Sequence, residues 1–208
     1  MTTLFNLAFG HLEVICGPMF SGKTEELIRR IRRSQIARQK IQIFKPTIDT
    51  RYSAASVVSH SAQSVSSVAV SEPKEILLLV KDHTRVVAID EVQFFDETII
   101  DVVEKLTNRG LRVICAGLDL DYLAKPFGPM GELLAMADTV TKIQAVCTVC
   151  GGPATRTQRI VNSKEQVLLG ELEAYEARCR MHYDADEFTD GKKGDDHQQL
   201  DLLSPHNH

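Results

Sequence analysis

Gly17-Pro18-Met19-Phe20-Ser21-Gly22-Lys23-Thr24 follows the spacing G-x-x-x-x-G-K-[ST]. Residues of these types at this spacing can wrap the phosphates of a nucleotide. Amide N–H groups converge on the anion at a helix N-terminus, and the two glycines allow backbone conformations that a side chain would block. Lys23 would reach the terminal phosphates, and the Thr24 hydroxyl would coordinate magnesium. The pattern needs a strand before it and a helix after it. Both are present, as the apolar, β-branched run Leu12 to Cys16 and the helically patterned stretch Thr24 to Gln39.

A second acidic group is needed to hold the metal. Asp90, at the end of the apolar run Arg85 to Ile89, has the right placement to do so through a bound water. Its neighbour Glu91 has two candidate roles. It could orient an attacking water, or receive the proton of an acceptor hydroxyl. A glutamate carboxylate is far too weak a base to ionise an alcohol beforehand. In a loose phosphoryl-transfer transition state the hydroxyl becomes acidic only as the new bond forms, and the base collects the proton late. The residues alone do not separate the two roles.

Cys147-Thr148-Val149-Cys150 and Cys179-Arg180-Met181-His182 form a C-x2-C…C-x2-H arrangement. Two such turns supply four soft ligands to tetrahedral Zn²⁺, and a site filled by Cys147, Cys150, Cys179 and His182 reads as structural. The segment 147–183 is too small for a core of its own, and structural zinc contributes on the order of 10 kcal/mol to folding such units. Cys16 and Cys115, inside apolar runs, read as core residues. An odd cysteine count argues against a disulfide framework.

The elements that must position these groups alternate between strand and helix. Strands are expected at Leu12 to Cys16, Ile41 to Phe44 (stopped by Lys45-Pro46), Val68 to Val70, Arg85 to Ile89, Leu111 to Ala116 and Lys142 to Val146. Helices are expected at Thr24 to Gln39, Lys74 to Asp82, Glu97 to Arg109 (closed by Gly110) and Glu132 to Ala137. In the first helix Leu27, Ile28, Ile31 and Ile36 mark the buried face, and the arginines at 29, 30, 32, 33 and 38 a solvated one. Serine-rich 47–67 reads as a long loop or flexible hairpin. This alternation implies a mostly parallel α/β sheet with ligands at the carboxyl ends of its strands. The phosphate loop, Asp90-Glu91 and Gly117 to Tyr122 all lie at such ends and should meet. The chain thus divides into an N-terminal extension (1–10), an α/β domain (11–146), a zinc-binding lobe (147–184) and a disordered polar tail (185–208).

Of the 208 residues 43% are hydrophobic, and 24 basic against 28 acidic residues give a net charge of -4. That balance offers no global attraction to nucleic acid or to an anionic membrane, and neither is an expected partner. No run approaches a membrane span and no secretory signal precedes the first strand, so the chain reads as cytoplasmic.

The phosphate loop, Asp90-Glu91, Gly117-Leu118-Asp119 with Lys125-Pro126-Phe127-Gly128, and the two metal-binding turns occur in the same order as in thymidine kinases of the zinc-containing class. That class includes the cytosolic vertebrate enzyme, and this chain resembles a bacterial-type member over about residues 10 to 183. The resemblance implies a phosphate-loop NTPase (RecA-like) fold with a zinc lobe carrying a lasso-like loop. It implies transfer of the γ-phosphate of ATP to the 5'-hydroxyl of thymidine, with deoxyuridine as a second substrate, in deoxynucleoside salvage for DNA synthesis. By position, Glu91 matches the family's base, Lys23 and Thr24 its phosphate and magnesium contacts, and Asp90 its water-mediated metal contact. Asp49 and Arg51 match a stretch near the phosphates and sugar. Met19, Phe94, Leu118, Tyr122 and Phe127 match the pocket around thymine, and Thr157, Leu168, Gly170 and Tyr175 match positions of the lasso. The family is usually tetrameric and inhibited by dTTP in the acceptor site. His182 stands where some members have a fourth Cys, and Tyr122 where the vertebrate form has Phe. Two other readings compete: a phosphate-loop ATPase or nucleotide switch in which Glu91 activates water, and a non-catalytic zinc-bearing module. The second fits poorly with intact Gly22-Lys23-Thr24 and Asp90-Glu91.

Overall fold

A computed structural model describes residues 10–47, 56–58, 64–161 and 174–185. Its centre is a six-stranded sheet of β1 (His11–Cys16), β2 (Ile41–Pro46), β5 (Val68–Val70), β6 (Val86–Ile89), β7 (Arg112–Gly117) and β8 (Thr139–Lys142). Between β2 and β5 the chain makes a separate antiparallel pair, β3 (Ser56–Val58) and β4 (Ser64–Ser66), so the serine-rich stretch contains a hairpin. The sheet order is β5-β2-β6-β7-β1-β8 and every neighbouring pair is parallel.

Both faces of this sheet are covered, which is why its strands are nearly continuous apolar runs. Alternate residues go to opposite sides. Val14, Val87, Ile89, Val113 and Cys115 pack with Ile99, Val103 and Leu106 of α3 (Thr98–Asn108), with Met130 and Leu133 of α4 (Met130–Met136), and with Ile76 of α2 (Pro73–Leu79). On the other face Ile15, Ile43, Ala88, Ile114 and Ala116 pack against Leu27, Ile28 and Ile31 of α1 (Lys23–Ile36). Truncating one such side chain to alanine costs about 2–5 kcal/mol. Helix ends follow local chemistry. Glu72 and Glu75 form a reciprocal capping box at α2 with Pro73 in its first turn. After α3, Gly110 takes φ 80, as expected for a closing glycine.

Three expectations are corrected. Strand β2 runs on through Lys45-Pro46, with Pro46 opposite Val70. Proline is tolerated there because the pairing with β6 ends at Phe44 and Pro46 closes the strand. The last sheet strand is Thr139–Lys142, earlier than expected, so that of the expected 142–146 Lys142 ends this strand and Ala145–Val146 forms another, β9, outside the sheet. Strand β8 pairs with β1, Cys16 lying opposite Lys142. On α1, Arg30 is buried and Ile36 is exposed. The reason lies on β1, where buried Glu13 needs partners. Arg30 Nη1 donates to Glu13 Oε2 at 2.6 Å and Arg112 Nε to Glu13 Oε1 at 2.5 Å. Burial alone would push the Glu13 carboxyl up, but the Arg112 and Arg30 guanidiniums bring it below the usual carboxylate range.

Candidate functional site

Three adjacent strands bring the chemistry together. β1 ends in the phosphate loop, β7 in the Gly117-Leu118 turn and β6 in Asp90-Glu91, and β7 lies between the other two. In the loop Gly17 has φ 146, and a Cβ there would lie 2.2 Å from the Ile143 carbonyl oxygen, so only glycine fits. Gly22 has φ 86 and leads directly into α1. Ser21 Oγ and Lys23 Nζ both donate to the Pro18 carbonyl, at 2.8 and 2.7 Å, bracing the loop from within. Burial pulls the Lys23 ammonium below its ordinary pKa, while the charges of Glu91, Asp90 and Asp119 act in the opposite sense.

Asp90 is buried and its Oδ1 accepts from the Glu91 N–H at 3.1 Å. Glu91 has φ 51 and ψ 37, in the left-handed region that costs a side-chain-bearing residue on the order of 1 kcal/mol or more. Gln93 Nε2 donates to Glu91 Oε2 at 2.6 Å, and Gln93 Oε1 accepts from the Leu118 N–H at 3.1 Å. Asp119, buried beside them, pairs with Lys142 Nζ at 2.6 Å. Burial and the Asp119 charge push the Cys16 thiol up to about 11, and burial pushes Cys115 up to about 12, so both stay protonated core groups.

The residues expected around thymine fall into three contacts. Phe94 and Phe127 meet edge to face, with ring centroids 5.6 Å apart and planes at 85°. The Met19 N–H donates to Thr157 Oγ1 at 3.0 Å, so the phosphate loop is bonded to the segment that carries the metal-binding turns. The Arg159 guanidinium lies 3.6 Å from the Tyr122 ring centroid and donates to the Tyr175 hydroxyl at 2.9 Å. One face of Tyr122 is thus covered by a cation. Tyr183 Oη donates to the Tyr122 carbonyl at 2.6 Å. Thr24 is partly buried in the first turn of α1. Asp49, Arg51, Leu168 and Gly170 lie outside the described residues.

Metal-binding chemistry is concentrated after β9 (Ala145–Val146). β9 pairs with β10 (Pro153–Ala154), and β11 (Arg156–Arg159) with β12 (Tyr175–Arg178), both antiparallel. The ligand atoms of Cys147, Cys150, Cys179 and His182 all lie within 4.8 Å of one another. Cys150 and Cys179 sulfurs are 3.9 Å apart, and His182 Nδ1 is 3.1 Å from Cys179 Sγ and 3.8 Å from Cys147 Sγ. Zn–S bonds of about 2.3 Å in a tetrahedron place sulfurs about 3.8 Å apart, so the cluster fits zinc. Burial pushes the Cys147 thiol up, but backbone groups of Cys179, Cys150 and Val149, together with His182, bring it down to about 6. A thiol so poised gives up its proton to a cation readily.

A family model described as thymidine kinase matches residues 10–183, most of the chain. The chain belongs to the thymidine kinase family. Membership supports phosphorylation of thymidine with a nucleotide as the second substrate, and the parallel sheet with its loop after β1 fits a phosphate-loop fold. Among the described residues no helix is long and apolar enough to cross a membrane. Sequence reasoning missed Gln93, Arg159, Tyr183 and the Asp119–Lys142 pair. For Gln93 a signal existed: it is one amide inside the run Val92-Gln93-Phe94-Phe95, and it is buried. Arg159 and Tyr183 carried none, because their partners are distant in sequence.

Proposed function

We propose that this member of the thymidine kinase family transfers the γ-phosphate of ATP to the 5'-hydroxyl of thymidine, and of deoxyuridine, in deoxynucleoside salvage. The observation that carries this reading is that the phosphate loop after β1 and Asp90-Glu91 after β6 lie at the same end of the parallel sheet with only β7 between them, so that both carboxylates act on the Lys23 charge. Gly17, Pro18, Met19, Phe20, Ser21 and Gly22 wrap the phosphates, all but the proline with backbone N–H groups, and Lys23 swings from the Pro18 carbonyl to the terminal phosphates. The Thr24 hydroxyl and the Asp90 carboxylate are hard oxygen donors suited to magnesium, which supplies charge neutralisation for the transferred group. Glu91 receives the proton of the acceptor hydroxyl as the O–P bond forms, and the leaving ADP keeps the electrons of the broken bond.

On the acceptor side Phe94, Phe127, Leu118 and Met19 line the base pocket with Tyr122, and Thr157 and Tyr175 extend it from the zinc lobe. Asp49 and Arg51 serve the sugar and phosphates, and Leu168 and Gly170 the lasso. The α/β domain spans 11–146 and the zinc lobe 147–184. We further propose a cytoplasmic homotetramer, inhibited by dTTP in the acceptor site. The test incubates purified protein with ATP, Mg²⁺ and each nucleoside in turn. Phosphoryl transfer that requires thymidine is expected, whereas ATP hydrolysis indifferent to thymidine would overturn the reading in favour of a water-activating Glu91.

A further inference from the structure

We propose that Gln93 is the positioning residue that sets the direction of the Glu91 carboxylate, tying it to the Gly117-Leu118 turn. This rests on the kinase reading above. Gln93 is 2% exposed, and a buried amide is tolerated only when it is hydrogen-bonded. Its orientation is fixed by its partners. The Leu118 N–H can only donate, so the oxygen of the amide must face it, and the Nε2 hydrogens must face the other way. There Nε2 meets Glu91 Oε2 at 2.6 Å.

The surrounding chain is shaped to the same residue. A Cβ on Gly117 would lie 2.5 Å from Gln93 Oε1, and a Cβ on Gly128, where φ is 49, would lie 2.5 Å from the Gln93 carbonyl oxygen. Two glycines are thus required for Gln93 to sit where it does. Glu91 sits in a left-handed turn just past the end of β6, and Gln93, two residues on, reaches its carboxylate. Holding Oε2 stops rotation of the carboxylate and leaves Oε1 to meet the acceptor hydroxyl. Because Gln93 also holds Leu118, the turn that borders the acceptor and the base that deprotonates it are set by one side chain. Lys23, on α1, acts on Glu91 through its charge, and the neighbouring Asp90 Oδ1 accepts from the Glu91 N–H, a backbone bond that leaves the side-chain torsions of Glu91 to Gln93.

The test uses Gln93→Glu, which keeps length and an acceptor for the Leu118 N–H but replaces the donor facing Glu91 with an oxygen. It is measured in the wild-type background and in Glu91→Gln. Expected is a fall in kcat of about ten- to a hundredfold with KM for thymidine and ATP within about threefold, and no further fall when Glu91 is already Gln. A residue that merely supports the turn predicts near wild-type kcat in Gln93→Glu, or the same loss in both backgrounds. Either result would overturn the proposal, as would a Gln93→Glu protein that no longer binds ATP. Gln93→Met, which removes both hydrogen bonds, should lose at least as much kcat as Gln93→Glu. A wild-type protein without thymidine-dependent turnover would instead overturn the kinase reading.

Discussion

Strands β6, β7 and β1 end side by side, β1 in the phosphate loop, on a core sealed by α1 on one face and by α3 and α4 on the other. The zinc lobe, by contrast, closes over Ala145, Cys147, Ala154 and Ala177, with Cys179 at its edge. Alanines bury little apolar area, so at about 25 cal/mol per Å² the lobe gains little from burial. Its order must come from the four ligands, from the paired strands β9–β10 and β11–β12, and from its hydrogen bonds to the sheet half at Met19 and Tyr122. A sheet half with a core of its own thus meets a lobe that leans on its four candidate metal ligands.

The sharpest way to break this contrast is to remove the metal. Cys147→Ala, or a strong chelator, is expected to cost the lobe on the order of 10 kcal/mol. The lobe should melt and affinity for thymidine should be lost, while the sheet stays folded. Circular dichroism, thymidine binding and ATP binding on one sample read all three, with metal analysis alongside. Stoichiometric zinc near one per chain is expected before treatment, and full thymidine affinity in metal-free protein would sink the dependence.

The next effect belongs to chemistry rather than folding. Glu91→Gln keeps the shape of the side chain but removes the proposed base, so kcat should fall about 10²- to 10⁴-fold with ATP affinity and melting temperature near wild type. Substitution also relieves nothing of the left-handed backbone at this position. Retained wild-type turnover would take Glu91 out of the role.

These two halves were not equally legible in the sequence. The sheet was readable because burial on both faces writes continuous β-branched runs, and the phosphate loop and the four metal ligands were readable because their spacing is local. What escaped was set by partners far apart in the chain. Arg30 looked like one of a solvated row, yet Glu13 on β1 draws it inward. Arg159 looked like any strand arginine, yet it covers Tyr122. Pro46 looked like a stop, yet a strand paired on one side can end on proline. Glu91's left-handed turn and its bond to Gln93 depend on where β7 ends, which no local pattern records.

The sheet half has its own electrostatic dependence, which sharpens the contrast from the other side. Glu13→Gln should leave Arg30 and Arg112 without their shared carboxylate and lower stability by about 3 kcal/mol. The loss should appear in denaturant melts as a lower midpoint with thymidine affinity unchanged in the surviving folded fraction. An equal loss of zinc affinity would show the two halves to be coupled more tightly than these contacts imply.

The smallest expected effect comes from Glu26, one turn into α1. Hydrogen bonding by Arg29, and then by Arg30, outweighs burial and holds its carboxyl down to about 2 from an ordinary 4.5. A folded-state pKa below the unfolded one means that the unfolded chain binds the proton first as pH falls. The stabilisation from this group is therefore full above about 4.5 and is lost progressively as pH drops towards 2. Its partners are partly solvated, so the contribution is that of a screened pair, about 0.5–1 kcal/mol. Glu26→Gln should flatten the acid limb of the sheet's stability by that amount between these pH values. The zinc lobe should respond to acid differently, because proton competition for Cys147, Cys150, Cys179 and His182 releases the metal. Two separable acid transitions, of which only the sheet's shifts in Glu26→Gln, are expected by circular dichroism and zinc release, and a single transition that moves as one would erase the distinction between the halves.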